Sequence, residues 1–208
     1  MNTFLVFGDS IAWGAYDSEE GGWVGRLKIF LEKERSLQFE LYNLAVDGDI
    51  TTNLSKRFDS ETKSRIKEGS ETIIIFAIGI NDSYFIKIRN DFITPPEEFK
   101  KNIKKLITLA GKFSSKVIFI GLTPVDELKV TPIPWNADLS YRNENIKKYD
   151  EIIKKTCEEE NAEFVEIFDK LIKSGDNDLL EDGLHPNSKG HKKIFEGVKD
   201  FLIFKKII

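Results

Sequence analysis

The 208-residue chain contains one cysteine, Cys157, so it cannot close an internal disulfide, and no neighbouring residues complete a zinc site. Cys157 falls on an apolar helical stripe and reads as a core residue. Long hydrophobic runs are also missing. The longest, Thr72 to Ile80 and Val117 to Leu122, fall well short of the ~20 residues a helix needs to cross a bilayer. Met1 is followed by no basic leader, long apolar segment or small-residue cleavage site, so the expectation is a soluble protein without a signal peptide, by default cytoplasmic. Positive charge is not in excess: 31 Lys+Arg against 35 Asp+Glu gives a net charge of −4, with the two signs interspersed. A nucleic-acid partner would call for a clustered positive field, and none is expected.

Three motif frames are absent as well. No two glycines are separated by one residue, which removes the dinucleotide fingerprint Gly-x-Gly-x-x-Gly. There is no phosphate loop ending in Gly-Lys-Ser/Thr, and no serine sits in a Gly-x-Ser-x-Gly elbow.

What is present is a 40% hydrophobic share with 16 Phe, enough for one sizeable core, and 32% charged residues to cover it. The length favours a single domain over residues 1–208. Phe4 to Phe7, Phe39 to Val46, Thr72 to Ile78, Val117 to Gly121 and Phe164 to Ile167 are rich in Val, Ile and Phe. Several are apolar almost throughout, which suits strands covered on both faces. Between them run helical stripes. Phe99, Ile103, Leu106, Ile107 and Ala110 share one face, with Thr94-Pro95-Pro96-Glu97 reading as a capping box and Gly111 as the stop. Ile146, Tyr149, Ile152, Ile153 and Cys157 form a second stripe, and Ile194, Val198, Phe201 and Leu202 a third. Weaker stripes fall at Trp23, Leu27, Phe30 and Leu31, and at Leu54, Phe58 and Ile66. Strands alternating with helices imply an α/β fold, a five-stranded parallel sheet between helical layers. The longest irregular stretch, Thr123 to Leu139, reads as a binding loop or lid. The apolar C-terminal run Phe201 to Ile208 is expected to dock on the body, and oligomeric state cannot be read from it.

In open α/β sheets ligands bind beyond the carboxyl ends of the strands. Four polar, glycine-containing turns lie there: Gly8-Asp9-Ser10, Asp47-Gly48-Asp49, Gly79-Ile80-Asn81-Asp82 and Asp182-Gly183-Leu184-His185. Ser10 is the candidate nucleophile. A serine hydroxyl needs an adjacent base held in the right tautomer, which His185 can supply with Asp182 as its partner three residues earlier. Pro186 biases His185 away from helical backbone and places it ahead of the last helix. The backbone N–H groups of Ser10 and Gly48 and the amide of Asn81 can converge as oxyanion donors. Asp9 and Asp82 read as turn-forming caps, and His191, on a Lys-rich face, as a solvated surface residue. Tyr84 and Phe85 beside the Asn81 turn, and Trp135 in the long loop, are candidate pocket residues for acyl or alcohol groups.

Phe7-Gly8-Asp9-Ser10-Ile11, Gly48, Gly79-Ile80-Asn81-Asp82 and Asp182-Gly183-Leu184-His185-Pro186 occur in the order of the four motif blocks of the GDSL, or SGNH, hydrolases, which this chain resembles. Ile11 stands where the namesake motif has leucine. The resemblance implies a flavodoxin-like α/β/α sandwich and an esterase or lipase activity without a metal or other cofactor, acting on a small-molecule ester. Ser10 would then be nucleophile and first oxyanion donor, Gly48 and Asn81 the other donors, His185 the base and Asp182 its partner. Two other readings stay open at this point. One is a metal-dependent phosphoesterase built on Asp9, Asp47, Asp49 and Asp82; the other is a non-catalytic ligand-binding domain.

Overall fold

The computed structural model describes residues 2–34, 38–173 and 178–208. Its strands are β1 (Asn2–Gly8), β2 (Phe39–Asn43), β3 (Thr72–Ala77), β4 (Phe85–Ile86), β5 (Asp91–Phe92), β6 (Lys116–Ile120), β7 (Leu139–Ser140) and β8 (Glu163–Val165). The α-helices are α1 (Ser10–Trp13), α2 (Gly22–Glu34), α3 (Thr51–Lys63), α4 (Pro96–Ala110), α5 (Glu127–Val130), α6 (Asn143–Glu160), α7 (Phe168–Lys173) and α8 (Ser188–Phe204).

The main sheet is five-stranded and parallel throughout, in the order β2-β1-β3-β6-β8. Residues Phe4 to Phe7 and Ile73 to Phe76 are completely buried, because both faces of the two central strands are covered. Helices α2 and α8 pack together, while α3, α4 and α6 pack in sequence with one another. One row of side chains shows how the sheet is cemented. Register pairs Phe7 with Phe76 and Phe76 with Phe119. Phe58 of α3 caps the row, with ring centroids 5.0 Å from Phe7 and 5.5 Å from Phe76. Such tilted pairs add about 0.5–1.5 kcal/mol each beyond the area they bury.

The order 2-1-3 at the start of the sheet makes a topological switch point between β1 and β3, where the chain departs in opposite directions and a crevice opens. The turns after β1, β2 and β3 meet at this edge. Gly8 closes β1 because nothing larger fits: a Cβ there would lie 2.4 Å from the Ala77 carbonyl oxygen and 2.5 Å from Ala12 Cβ.

Several local expectations change. The chain from 84 to 140 contributes a small antiparallel sheet, β5-β4-β7, made of strands too short to show periodicity. The stretch after Thr123 is not irregular throughout, since Asp126 caps α5 by accepting from Leu128 N–H at 3.1 Å. The capping box at Thr94 does not form: Pro95 takes the N-cap position of α4, with no side-chain cap, and Pro96 stands in the first turn. The Thr94 hydroxyl is instead turned to Asp82. Ile66 lies beyond the end of α3 and is exposed. At the C-terminal run, Leu202 is buried and Ile207 and Ile208 pack on the core, while Ile203 and Phe204 face solvent. Among the described residues no helix is long and apolar enough to cross a membrane.

Candidate active site

Asp9 ends β1 and caps α1, its carboxylate accepting from Ile11 N–H at 3.0 Å. Ser10 is therefore the first residue of a helical turn, where the helix itself offers its N–H no carbonyl partner. At the other end of the sequence a tight turn carries Asp182 and His185. Glu181 N–H donates to the His185 carbonyl at 2.9 Å, and Asn187 caps α8 through Lys189 and Gly190 N–H, both at 3.1 Å. His185 thus stands just before α8, as Pro186 implied.

These two pieces meet in a hydrogen-bonded chain. Asp182 Oδ2 lies 2.8 Å from His185 Nδ1, and His185 Nε2 lies 2.9 Å from Ser10 Oγ. Burial tends to raise the Asp182 carboxyl, but the His185 ring and the N–H groups of His185 and Leu184 outweigh it and hold it at about 2. The carboxylate is therefore ionised at neutral pH and can only accept. Nδ1 must carry the proton, and a neutral ring then presents Nε2 as an acceptor to the serine hydroxyl. Ser10 is 4% exposed, within reach of a small reagent at the crevice and otherwise shielded.

Residues 6–193 match the GDSL-like Lipase/Acylhydrolase family. The chain belongs to this family. It is accordingly a carboxylic ester hydrolase of the GDSL type, with the fold such enzymes use. Solved structures similar to it include a lipase/acylhydrolase from Enterococcus faecalis, at 20% identity over 97% of this chain and 95% of that one, with a TM-score of 0.75. An acetylxylan esterase from Geobacillus stearothermophilus matches at 19% identity over 97% and 92%, TM-score 0.71. A member of the lipolytic G-D-S-L family from Veillonella parvula matches at 18% identity over 96% and 97%, TM-score 0.72. At these identities the likeness is one of fold. No curated protein matches the sequence.

The other GDSL blocks follow β2 and β3, the two strands that flank β1. Gly48 lies in the turn after β2 with φ +71, exposed, and a Cβ there would meet nothing within 4 Å. Asn81 opens a short 3-10 turn after β3 and is buried. Its Nδ2 donates to the Asp49 carbonyl at 3.0 Å, and its Oδ1 accepts from the Tyr141 hydroxyl at 2.9 Å. Arg57 braces the same edge, binding the Asp49 carboxylate through Nη2 at 2.6 Å and the Leu44 carbonyl through Nη1 at 2.7 Å.

Of the four aspartates in the acidic turns, Asp9, Asp49 and Asp82 are bonded internally and Asp47 is exposed. Asp82 accepts from Thr51 N–H and, at 2.6 Å, from the Thr51 hydroxyl. Asp49 is paired with Arg57. Burial pushes the Asp9 carboxyl up to about 7, against the pull of Ile11 N–H and His185. Among the described residues no group of three or more His, Cys, Asp or Glu side chains is placed to hold a metal ion.

His191 is not on the surface. It is fully buried, accepting from Trp23 N–H through Nδ1 at 3.3 Å and donating from Nε2 to the Ala15 carbonyl at 2.9 Å. Burial pulls its pKa down, which keeps the ring neutral in the tautomer opposite to that of His185. It ties the loop after α1 to α8. Asp17 does the same from the loop, accepting from the Ser188 hydroxyl at 2.7 Å and pairing with buried Arg26 at 3.0 Å. The loop delivers Tyr16, whose ring lies 5.3 Å from that of His185 and whose backbone is left-handed at φ 61. Of the pocket candidates, Tyr84 and Phe85 are half-buried. Tyr84 packs edge-on against Tyr141 at 5.7 Å, next to Asn81. Phe85 lines a groove with Thr131 and Pro132. Trp135 is 70% exposed.

Proposed function

We propose that this hydrolase cleaves its ester by a serine acyl-transfer mechanism contained in one domain, residues 1–208. His185 Nε2 takes the proton of Ser10 Oγ as that oxygen attacks the ester carbonyl carbon. The carbonyl π pair moves onto oxygen, and the resulting oxyanion receives hydrogen bonds from Ser10 N–H, Gly48 N–H and the free Nδ2–H of Asn81. The tetrahedral intermediate collapses by expelling the alcohol, to which His185 returns the proton, leaving an acyl-Ser10 ester. Water, deprotonated by His185, repeats the addition at the same carbon and releases the acid. Asp182 stays ionised throughout, stabilising the imidazolium and fixing its tautomer.

The observation that carries this reading is the hydrogen-bonded chain from Asp182 through both nitrogens of His185 to Ser10 Oγ, at 2.8 and 2.9 Å. The acidic-turn alternative lacks support of that kind, since the carboxylates of Asp9, Asp49 and Asp82 are each satisfied by internal donors. Tyr84 and Phe85 form one wall of the acyl or alcohol pocket in this reading, and Trp135 its outer edge. A small acyl group such as acetyl is the substrate class proposed, by likeness of fold to the acetylxylan esterase.

The test is direct. An aryl acetate is offered to wild type and Ser10→Ala, and both are treated with a fluorophosphonate. Wild type should turn the ester over and label at Ser10, and the variant should do neither. Turnover that survives Ser10→Ala would overturn the mechanism.

A further inference from the structure

We infer that Tyr141 is a positioning residue that sets which end of the Asn81 amide faces the reacting carbonyl. The inference rests on the reading above, in which Asn81 donates to the oxyanion. A carboxamide has two ends of nearly equal size and opposite polarity. Turned one way, Asn81 offers an N–H to the developing negative charge; turned the other, it offers an oxygen lone pair and repels it. Both ends of the amide are gripped. Nδ2 gives one N–H to the Asp49 carbonyl at 3.0 Å, leaving the second N–H to spend, and Oδ1 takes the Tyr141 hydroxyl proton at 2.9 Å. A flipped amide would set Oδ1 against the Asp49 carbonyl, acceptor to acceptor, and although the Tyr141 oxygen could then accept from Nδ2–H, its own buried proton would lose its acceptor. Tyr141 is 5% exposed, and burial pushes its pKa up, so the hydroxyl keeps the proton that it gives to Oδ1.

The chain takes trouble to bring Tyr141 there. After the long loop, β7 pairs with β4 in the register Phe85 to Ser140, which places Tyr141 over the Asn81 turn. Tyr141 N–H donates to the Val130 carbonyl at 3.1 Å, the Thr131 hydroxyl donates to its carbonyl, and Tyr84 packs edge-on against its ring. The phenol is thus held from three sides before it touches Asn81.

Removing the hydroxyl keeps the ring and the packing, so Tyr141→Phe isolates the contact. Its kcat for an aryl acetate should fall about tenfold to a hundredfold with KM within about twofold, part of the hundredfold or more that losing a whole oxyanion donor costs. The decisive measurement is the double variant. In an Asn81→Ala background Tyr141→Phe should change kcat by less than about twofold, because there is no amide left to orient. An equal loss in both backgrounds, or no loss in the single variant, would overturn the inference, and thermal unfolding of all four proteins separates either result from damage to the fold. If instead Asn81→Ala itself leaves kcat unchanged, the oxyanion role of Asn81 fails, and the assignment of Tyr141 fails with it. Survival of turnover in Ser10→Ala marks the separate failure of the mechanism as a whole.

Discussion

Asp182 holds His185 by two different atoms. Its Oδ2 meets ring Nδ1 at 2.8 Å, and its Oδ1 accepts the backbone N–H of the same residue, also at 2.8 Å. The carboxylate therefore fixes the ring's tautomer and the turn that presents the ring. Asp182→Asn separates these duties. The amide oxygen can still accept the backbone N–H, but the amide nitrogen then faces Nδ1 and turns the ring to the tautomer that offers Ser10 a donor. A kcat loss of about 10²–10⁴ is expected with little change in melting temperature. Near-wild-type kcat in Asp182→Asn would show that the tautomer is set elsewhere.

In the proposed mechanism Gly48 contributes through its backbone N–H. At φ +71 any L side chain is strained, although the space around its Cα is open. Gly48→Ala should cost about 1–2 kcal/mol of backbone strain, relieved by turning the peptide and with it the N–H. Gly48→Asn, which tolerates left-handed backbone, should keep more activity than Gly48→Ala despite its larger side chain. The opposite ranking in a kcat comparison would point to steric blocking as the cause.

Buried carboxyls give stability an unusual pH dependence. Asp17 and Asp182 are held at about 2, below the ordinary 3.8. Burial works against both shifts, and hydrogen bonds with Ser188, Arg26 and His185 overcome it. Their contribution is present above the unfolded value and is lost as pH falls through the folded one. Asp9 and Asp150 run the other way, raised by burial to about 7. The folded chain keeps protons that the unfolded chain has released, so stability falls as pH rises from about 4 to about 7. Asp150→Asn tests this limb, because its amide oxygen can still accept from Leu122 N–H, as the carboxylate does at 2.8 Å. The melting temperature of the variant should match wild type near pH 4 and exceed it at pH 8. Parallel curves for the two proteins would refute the assignment.

His191 should matter for folding more than for its charge. His191→Leu keeps the volume but strips partners from Trp23 N–H and the Ala15 carbonyl. At roughly 1–3 kcal/mol for a buried unpaired group, a loss of about 3 kcal/mol is expected. For a chain of this size that lowers the melting temperature by about 6–12 °C. Calorimetry showing a shift under about 2 °C would mean that these groups find other partners.

Much of this could be read from the residues because the informative features are local. Strands β1 and β3 are buried on both faces, so their sequences are apolar without interruption, and the four polar turns stand out against them. The motif residues are spaced so that Asp182 and His185 meet within one turn, a contact that spacing alone anticipates. Tyr141 and His191 escaped for different reasons. Tyr141 reaches Asn81 across 60 residues through a sheet of two-residue strands, and no periodicity marks such strands. His191 did carry a signal: it extends the stripe Ile194, Val198 and Leu202 back by one turn, and all four are buried. Flanking Lys192 and Lys193 masked it, although they lie on other faces of the same helix. The failed capping box at Thr94 is a competition lost, since Asp82 offers its hydroxyl a buried carboxylate.

Ser10 and His185 touch although 175 positions separate them. On the proposed mechanism, a growing chain hydrolyses nothing until both have been synthesised and the Ser10 turn after β1 has met the turn before α8. Nascent chains that stop short of His185 are therefore expected to be silent, and ester cleavage reports on chains in which the two turns have met. That makes the activity a ready assay for refolding yield, since a signal requires the earliest and latest parts of the sheet-and-helix body to have found each other.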